Sequence, residues 1–190
     1  KPAPKISKAE PKQNPKISHS SAKNLHWTQM SDEQMREIYG NYSRDITTPY
    51  SGNAEDLNRY LKGKGVLSGQ GQAFIDAQNK YGISAAVLAG IAISESGGTS
   101  SLARKRFNVT SISSSRGWRR FNNVSECIDY TASMLANRYV KNSGLSGVSL
   151  KTLYQINAKY CPVSDTRNNS SNNRFWAQNV ENKVREIEKA

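Results

Sequence analysis

The stretch SAAVLAGIAISESGG, residues 84–98, limits the folds open to this chain more than any other. Its apolar residues continue long enough for about three turns of helix, with a capping residue type at Ser84 and stop signals at Gly97 and Gly98. Val87, Leu88, Ile91 and Glu95 recur at steps of three and four residues, which puts the one carboxylate in phase with an apolar stripe. Such a helix needs partners to pack against, and the rest of the chain reads as helices. Ser31 and Gln34 in SDEQMREIYG form a capping box ahead of Gly40. NAEDLNRYLKGKG predicts a short helix closed by glycines, and SGQGQAFIDAQNKYG a helix from Ser68 to Gly82. SECIDYTASMLANRYVKN, SLKTLYQINAKY and NRFWAQNVENKVREIEKA carry apolar residues at helical spacing. Between Phe107 and Asn123, β-branched residues and serines surround a Gly-Trp, which reads as a loop or small hairpin. The expectation is a mainly α domain over residues 25–190 with one irregular or β-hairpin lobe.

Residues 1–24 are different. They hold four of the six prolines and six lysines against one glutamate, without apolar periodicity, and read as a basic, Pro-rich, flexible linker. No run approaches the roughly 18 apolar residues of a membrane span. The formal charge of +12 points to an anionic partner: nucleic acid, a membrane surface or a polyanionic cell wall. Cys127 and Cys161 give neither a metal-ligand spacing nor a disulfide scaffold, leaving two ordinary thiols or a single disulfide.

After Glu95, no Asp or Glu occurs until Glu126. Burial and the partial negative charge at a helix C-terminus both disfavour a carboxylate, so Glu95 is expected to hold its proton unusually well, as a general acid must. The structural alternative is an ion pair with Arg104, Lys105 or Arg106 just downstream.

ISESGGTSSLA resembles the catalytic helix of the glucosaminidase family of bacterial cell-wall hydrolases, glycoside hydrolase family 73, whose fold is helical and lysozyme-like. LNRYLKGKGVLSGQGQAFIDAQNKYGIS upstream, and FNNVSECIDYTASMLANRY, AKYCPVSD and FWAQNVENKVREI downstream, are similar to further segments of that family in the same order. The resemblance implies that Glu95 is the general acid and that Tyr160 faces it across a cleft. Asn108, Ile112, Trp118, Phe121, Tyr130 and Asp165 are the residues expected to contact substrate. RFNVTSIS resembles the family's N-[LV]-[FY]-G-I loop in Asn108 and Ile112, but Thr110 and Ser111 replace its aromatic and its glycine.

Many members carry a second acid in the lobe after the catalytic helix, and none occurs here. A glycosidase with one acid can cleave when the 2-acetamido oxygen of N-acetylglucosamine attacks its own anomeric carbon. Substrate assistance is therefore expected, with Tyr160 bonding the acetamido group or steadying the cationic ring, ahead of a base drawn from Asp129 or Asp165. The resemblance implies an endo-β-N-acetylglucosaminidase cutting peptidoglycan, with no cofactor or metal, acting as a monomer. The basic residues would meet anionic wall polymers rather than nucleic acid. Its place would be extracellular and wall-associated, as a secreted autolysin or part of a phage virion. The rivals are a lytic transglycosylase and a wall-binding module without activity.

Overall fold

Local signals set most helix boundaries. The computed structural model describes residues 25–164 and 170–190, so the linker read in residues 1–24 and the candidate Asp165 lie outside the described residues. Helix α1 (Asp32–Tyr39) opens on the expected capping box: Ser31 Oγ accepts from the Gln34 amide at 3.2 Å, and Gln34 Oε1 from the Ser31 amide at 2.8 Å. Asn53 and Asp56 do the same for α2 (Ala54–Leu61).

Helix α3 (Gly71–Tyr81) begins later than the expected Ser68. A 3-10 turn over Gly65–Leu67 and the left-handed Gly69 reverse the chain first. Helix α4 (Ala85–Ser96) ends at left-handed Gly97, as expected. Its cap differs: Ser84 makes no side-chain cap, and the Ala85 amide donates to Gln78 Oε1 of α3 at 2.8 Å.

Helix α5 (Ser101–Arg106), absent from the sequence reading, follows a cap by Ser100. Strands β1 (Ser113–Ser114) and β2 (Gly117–Trp118) pair antiparallel as the small hairpin lobe. Then come α6 (Val124–Leu135), which runs on into a wider π-type turn over Ala136–Lys141, α7 (Leu153–Tyr160) and α8 (Trp176–Lys189).

Helix α4 is the centre of the packing. Every residue from Ala85 to Ala92 is buried, so the helix is enclosed on all sides rather than along one stripe. Helix α8 lies against it, admitted by Gly90, where a Cβ would stand 3.0 Å from Val184 Cγ2 and 3.2 Å from the Val180 carbonyl oxygen. Helix α3 packs on α4 and α6, with α2 against α3 and α1 against α7. Fully buried Leu57, Phe74, Leu88 and Leu153 fill the seams, each leucine contributing about 2 kcal/mol by leaving water.

The far end of α4 is fixed by backbone contact. The Val66 amide donates to the Gly98 carbonyl at 3.0 Å. Gly98 takes φ +74°, and a Cβ there would lie 2.1 Å from the Lys64 carbonyl oxygen; one on Gly65 would lie 2.2 Å from the Gly98 carbonyl oxygen. The two glycines thus permit the approach that anchors the turn just beyond Glu95.

Candidate active site

Glu95 sits in the last turn of α4, and its carboxyl Oε1 accepts from Trp176 Nε1 at 2.8 Å. No guanidinium or ammonium among the described residues pairs with it. The ion-pair alternative fails for a geometric reason: Arg104 to Arg106 lie on the exposed surface of α5, and Arg106 Nη1 donates instead to the Trp118 carbonyl at 3.0 Å.

Surface area leaves Glu95 half-buried, whereas protein encloses its carboxyl as in an interior. The enclosure governs ionisation, because a charge is destabilised by the loss of surrounding water even when one edge stays open. Desolvation raises the Glu95 pKa above the usual carboxylate value, and the Trp176 N–H and the Ser111 hydroxyl offset part of that rise. Among the described residues no other carboxylate acts on it.

Tyr160 closes α7 beside this acid. Its ring centroid lies 5.1 Å from that of Trp176 and 6.4 Å from that of Tyr139, and its hydroxyl donates to the Thr110 carbonyl at 2.8 Å. Burial, and then the nearby Glu95, push its phenol pKa well above the ordinary value, so the phenol stays neutral. Asn157, fully buried, locks α7 to the start of α8: its Nδ2 donates to the carbonyls of Cys161 and Asn173, and its Oδ1 accepts from the Ala177 amide at 3.0 Å.

The loop after α5 supplies the remaining wall. Phe107 and Ser111 both adopt positive φ, +52° and +55°, which costs a residue with a Cβ roughly 1–2 kcal/mol. Thr110 replaces the aromatic of the resembling loop and is itself buried. Its hydroxyl meets that of Thr131 at 2.7 Å and Cys127 Sγ at 3.4 Å, a polar cluster that an aromatic ring would displace.

The other sequence candidates divide. Asn108 is fully buried, with Nδ2 donating to the carbonyls of Ile112 and Arg119 and Oδ1 accepting from the Ile112 amide at 2.9 Å. It and buried Ile112 build the loop, and neither presents side-chain surface to a ligand. Phe121 is likewise buried, against half-buried Tyr130 at 5.7 Å; the Arg119 guanidinium lies 4.3 Å over the Tyr130 ring. Both border a cavity of about 530 Å³ that also includes Arg120 and Asp129. Trp118, 49 % exposed on β2, is the most open large apolar side chain of the described residues.

Asp129 is occupied elsewhere. Burial alone would raise its pKa, but bonds from Lys80 and Tyr81, each 2.8 Å, outweigh it and hold the carboxylate ionised. No disulfide joins Cys127 and Cys161.

Sequence reasoning missed Trp176. A signal existed, since an indole at the start of a packed helix needs an acceptor for its N–H, but sequence does not say which.

A family model described as mannosyl-glycoprotein endo-beta-N-acetylglucosaminidase matches residues 71–189. The bifunctional autolysin of Staphylococcus epidermidis is 37% identical over 100 residues, covering 51% of this chain and 8% of that protein. The bifunctional autolysin of Staphylococcus aureus is 35% identical over 107 residues, covering 55% of this chain and 9% of its own length. The chain therefore matches less than a tenth of the length of these relatives. Among solved structures, a catalytic mutant of S. aureus autolysin E in complex with the disaccharide NAG-NAM superposes with a TM-score of 0.64 at 22% identity, covering 84% of this chain and 79% of that one. The same protein in complex with the muropeptide NAM-L-Ala-D-iGlu gives 0.62 at 22% identity, covering 84% and 78%. These likenesses bear on the helical fold.

Proposed function

The chain belongs to the glucosaminidase family, and from that premise we propose that it is an endo-β-N-acetylglucosaminidase of peptidoglycan, cutting the β-1,4 bond on the reducing side of N-acetylglucosamine. One observation carries the reading: a single enclosed carboxyl, bonded by an indole N–H and by no cation, with its pKa raised. Residues 25–190 are the catalytic domain, and residues 1–24 are its basic tether.

Glu95 donates its proton to the glycosidic oxygen as the C1–O bond breaks. The acetamido oxygen of the same sugar attacks C1 and takes up the developing positive charge as an oxazolinium ion. Water then opens this ring at C1 and gives its proton to Glu95, restoring the acid and the acetamido group. The engagement of Asp129, the described alternative base, by Lys80 and Tyr81 supports this order of events. Tyr160 has a defined part in it. Its O–H is taken by the Thr110 carbonyl, so the phenol oxygen faces substrate as an acceptor only. It accepts from the acetamido N–H and turns the acetamido oxygen toward C1. Trp176 orients the Glu95 carboxyl, and Trp118 and Tyr130 offer faces on which sugar rings stack.

Mass spectrometry of peptidoglycan digested by the purified protein tests the assignment. Fragments with a reducing N-acetylglucosamine end are expected. A 1,6-anhydro-muramic end would identify a lytic transglycosylase, and intact glycan strands a binding module.

The protein works at the cell wall as a monomer, and its basic lobe holds it there. Arg104, Lys105, Arg106, Arg116, Arg119 and Arg120 have no ion-pair partner among the described residues and flank exposed Trp118. Phosphate-rich wall polymers fit this surface, and the attraction is strongly screened by salt. Pelleting with intact walls should fall steeply at about 1 M salt, where the Debye length is about 3 Å, and on walls stripped of phosphate polymers. Equal pelleting on stripped and intact walls would exclude this role.

A further inference from the structure

The basic lobe is not uniform. Arg104, Lys105, Arg106 and Arg116 stand on open surface, whereas Arg119 and Arg120 border the cavity of about 530 Å³ beside α6. That volume falls within the roughly 300–1,000 Å³ of small-ligand sites. The backbone on either side of the two arginines is pinned. The Arg119 amide donates to the Ile112 carbonyl at 2.9 Å, and the Arg119 carbonyl accepts from Asn108 Nδ2 at 2.9 Å. One residue past Arg120, the Phe121 amide donates to the Arg106 carbonyl at 2.9 Å. The same Asn108 fixes the loop whose Thr110 carbonyl receives the Tyr160 hydroxyl, so the cavity and the catalytic wall share one framework.

The charges around this cavity are unequally matched. Both of its carboxylates are engaged: Glu126 Oε2 accepts from the Asn122 amide at 2.7 Å in the first turn of α6, and Asp129 from Lys80 and Tyr81 at 2.8 Å each. The arginines are not. Among the described residues neither guanidinium donates to an acceptor, although two carboxylates border the same space. Half-buried Arg119 instead lies 4.3 Å from the centre of the Tyr130 ring, a contact that steadies the guanidinium and consumes none of its five N–H donors. Phe121, 5.7 Å from Tyr130, completes an apolar wall behind it.

We propose that this cavity is a subsite for the carboxylate of a peptide attached to the glycan, so that the enzyme takes up peptide-bearing strands in preference to bare ones. The inference rests on the reading of peptidoglycan as substrate, whose muramic acid residues carry such peptides. Each wall suits part of that ligand. Arg119 offers a carboxylate two parallel N–H bonds, with exposed Arg120 beside it. Phe121 and Tyr130 face the short aliphatic side chains of the peptide. Peptide N–H groups meet Glu126 and Asp129, which keep lone pairs beyond the bonds they already accept. The two acids also select against phosphate, because they repel a dianion about twice as strongly as a single carboxylate.

Equilibrium dialysis of the full chain against N-acetyl-L-alanyl-D-glutamate, and against the same peptide with its carboxyls converted to amides, tests the subsite without turnover. The acid form is expected to bind about tenfold more tightly than the diamide. This comparison uses the parent protein, so it does not depend on any variant folding. Arg119→Gln weakens binding of the acid by about 10–100-fold, and Arg119→Lys nearly as much, because an ammonium keeps the charge without the paired N–H bonds. In both variants the ratio of kcat/KM on peptide-bearing strands to that on strands stripped of peptide falls. Equal binding of acid and diamide, or full retention in Arg119→Lys, would overturn the proposal. So would displacement of the peptide by an equal concentration of inorganic phosphate, which would identify a surface for phosphate polymers. If the expected binding is found in a protein that releases no glycan fragments, the subsite stands and the proposed activity falls; fragments released without peptide binding would do the reverse.

Discussion

Glu95→Gln is expected to lose activity on peptidoglycan by about 10²–10⁴-fold while gaining stability at neutral and alkaline pH. The loss follows from removing the proton donor of the proposed bond cleavage. The gain follows from the same enclosure that makes the acid useful. Desolvation raises the Glu95 pKa in the folded protein above its value in the unfolded chain. Between those two values the folded state binds more protons, so stability falls as pH rises from the unfolded to the folded pKa and stays reduced above it. Glutamine carries no charge at any pH and retains an Oε1 for the Trp176 indole. Melting temperatures of the two proteins should converge at acid pH and separate as pH rises, the variant being the more stable. Parallel melting curves at every pH would show that Glu95 is not desolvated, and retained lysis would remove it from the chemistry.

Gly98→Ala is expected to destabilise the fold by roughly 2–4 kcal/mol, through a left-handed alanine and an overpacked backbone contact. The new methyl would stand 2.1 Å from the Lys64 carbonyl oxygen, and backbone cannot yield as a flexible side chain does. Gly82→Ala is the control, because Gly82 is also left-handed at φ +69° and has nothing within 4 Å of its Cβ position. The melting temperature should fall by roughly 5–15 °C for Gly98→Ala and by clearly less for Gly82→Ala. Activity assayed well below either transition should also drop for Gly98→Ala, because the displaced turn lies three residues beyond the acid. Equal losses at the two glycines would mean that the Lys64 contact carries no energy.

Sequence made the helices legible where a cap or an apolar rhythm was local, as at Ser31 with Gln34 and along SAAVLAGIAISESGG. It misplaced the start of α3, because the 3-10 turn at Gly65–Leu67 owes its shape to Gly98, over thirty residues away. It missed α5, a six-residue helix whose basic last turn gave no apolar period to detect. At the site, Glu95 announced itself by isolation, whereas Trp176 is 81 residues distant and acquires meaning only when α8 lies along α4. Asn108 drew notice as a polar residue in a motif, but a buried amide that bonds three backbone groups and a ligand-binding amide look the same in sequence.

The bond between Trp176 and Glu95 also bears on vectorial synthesis. In synthesis from the N-terminus, Glu95 emerges before Trp176, the indole that its carboxyl accepts from in the folded chain. Enclosure of the acid thus waits on a helix that follows it by 81 residues, and is complete only when α8 docks along α4.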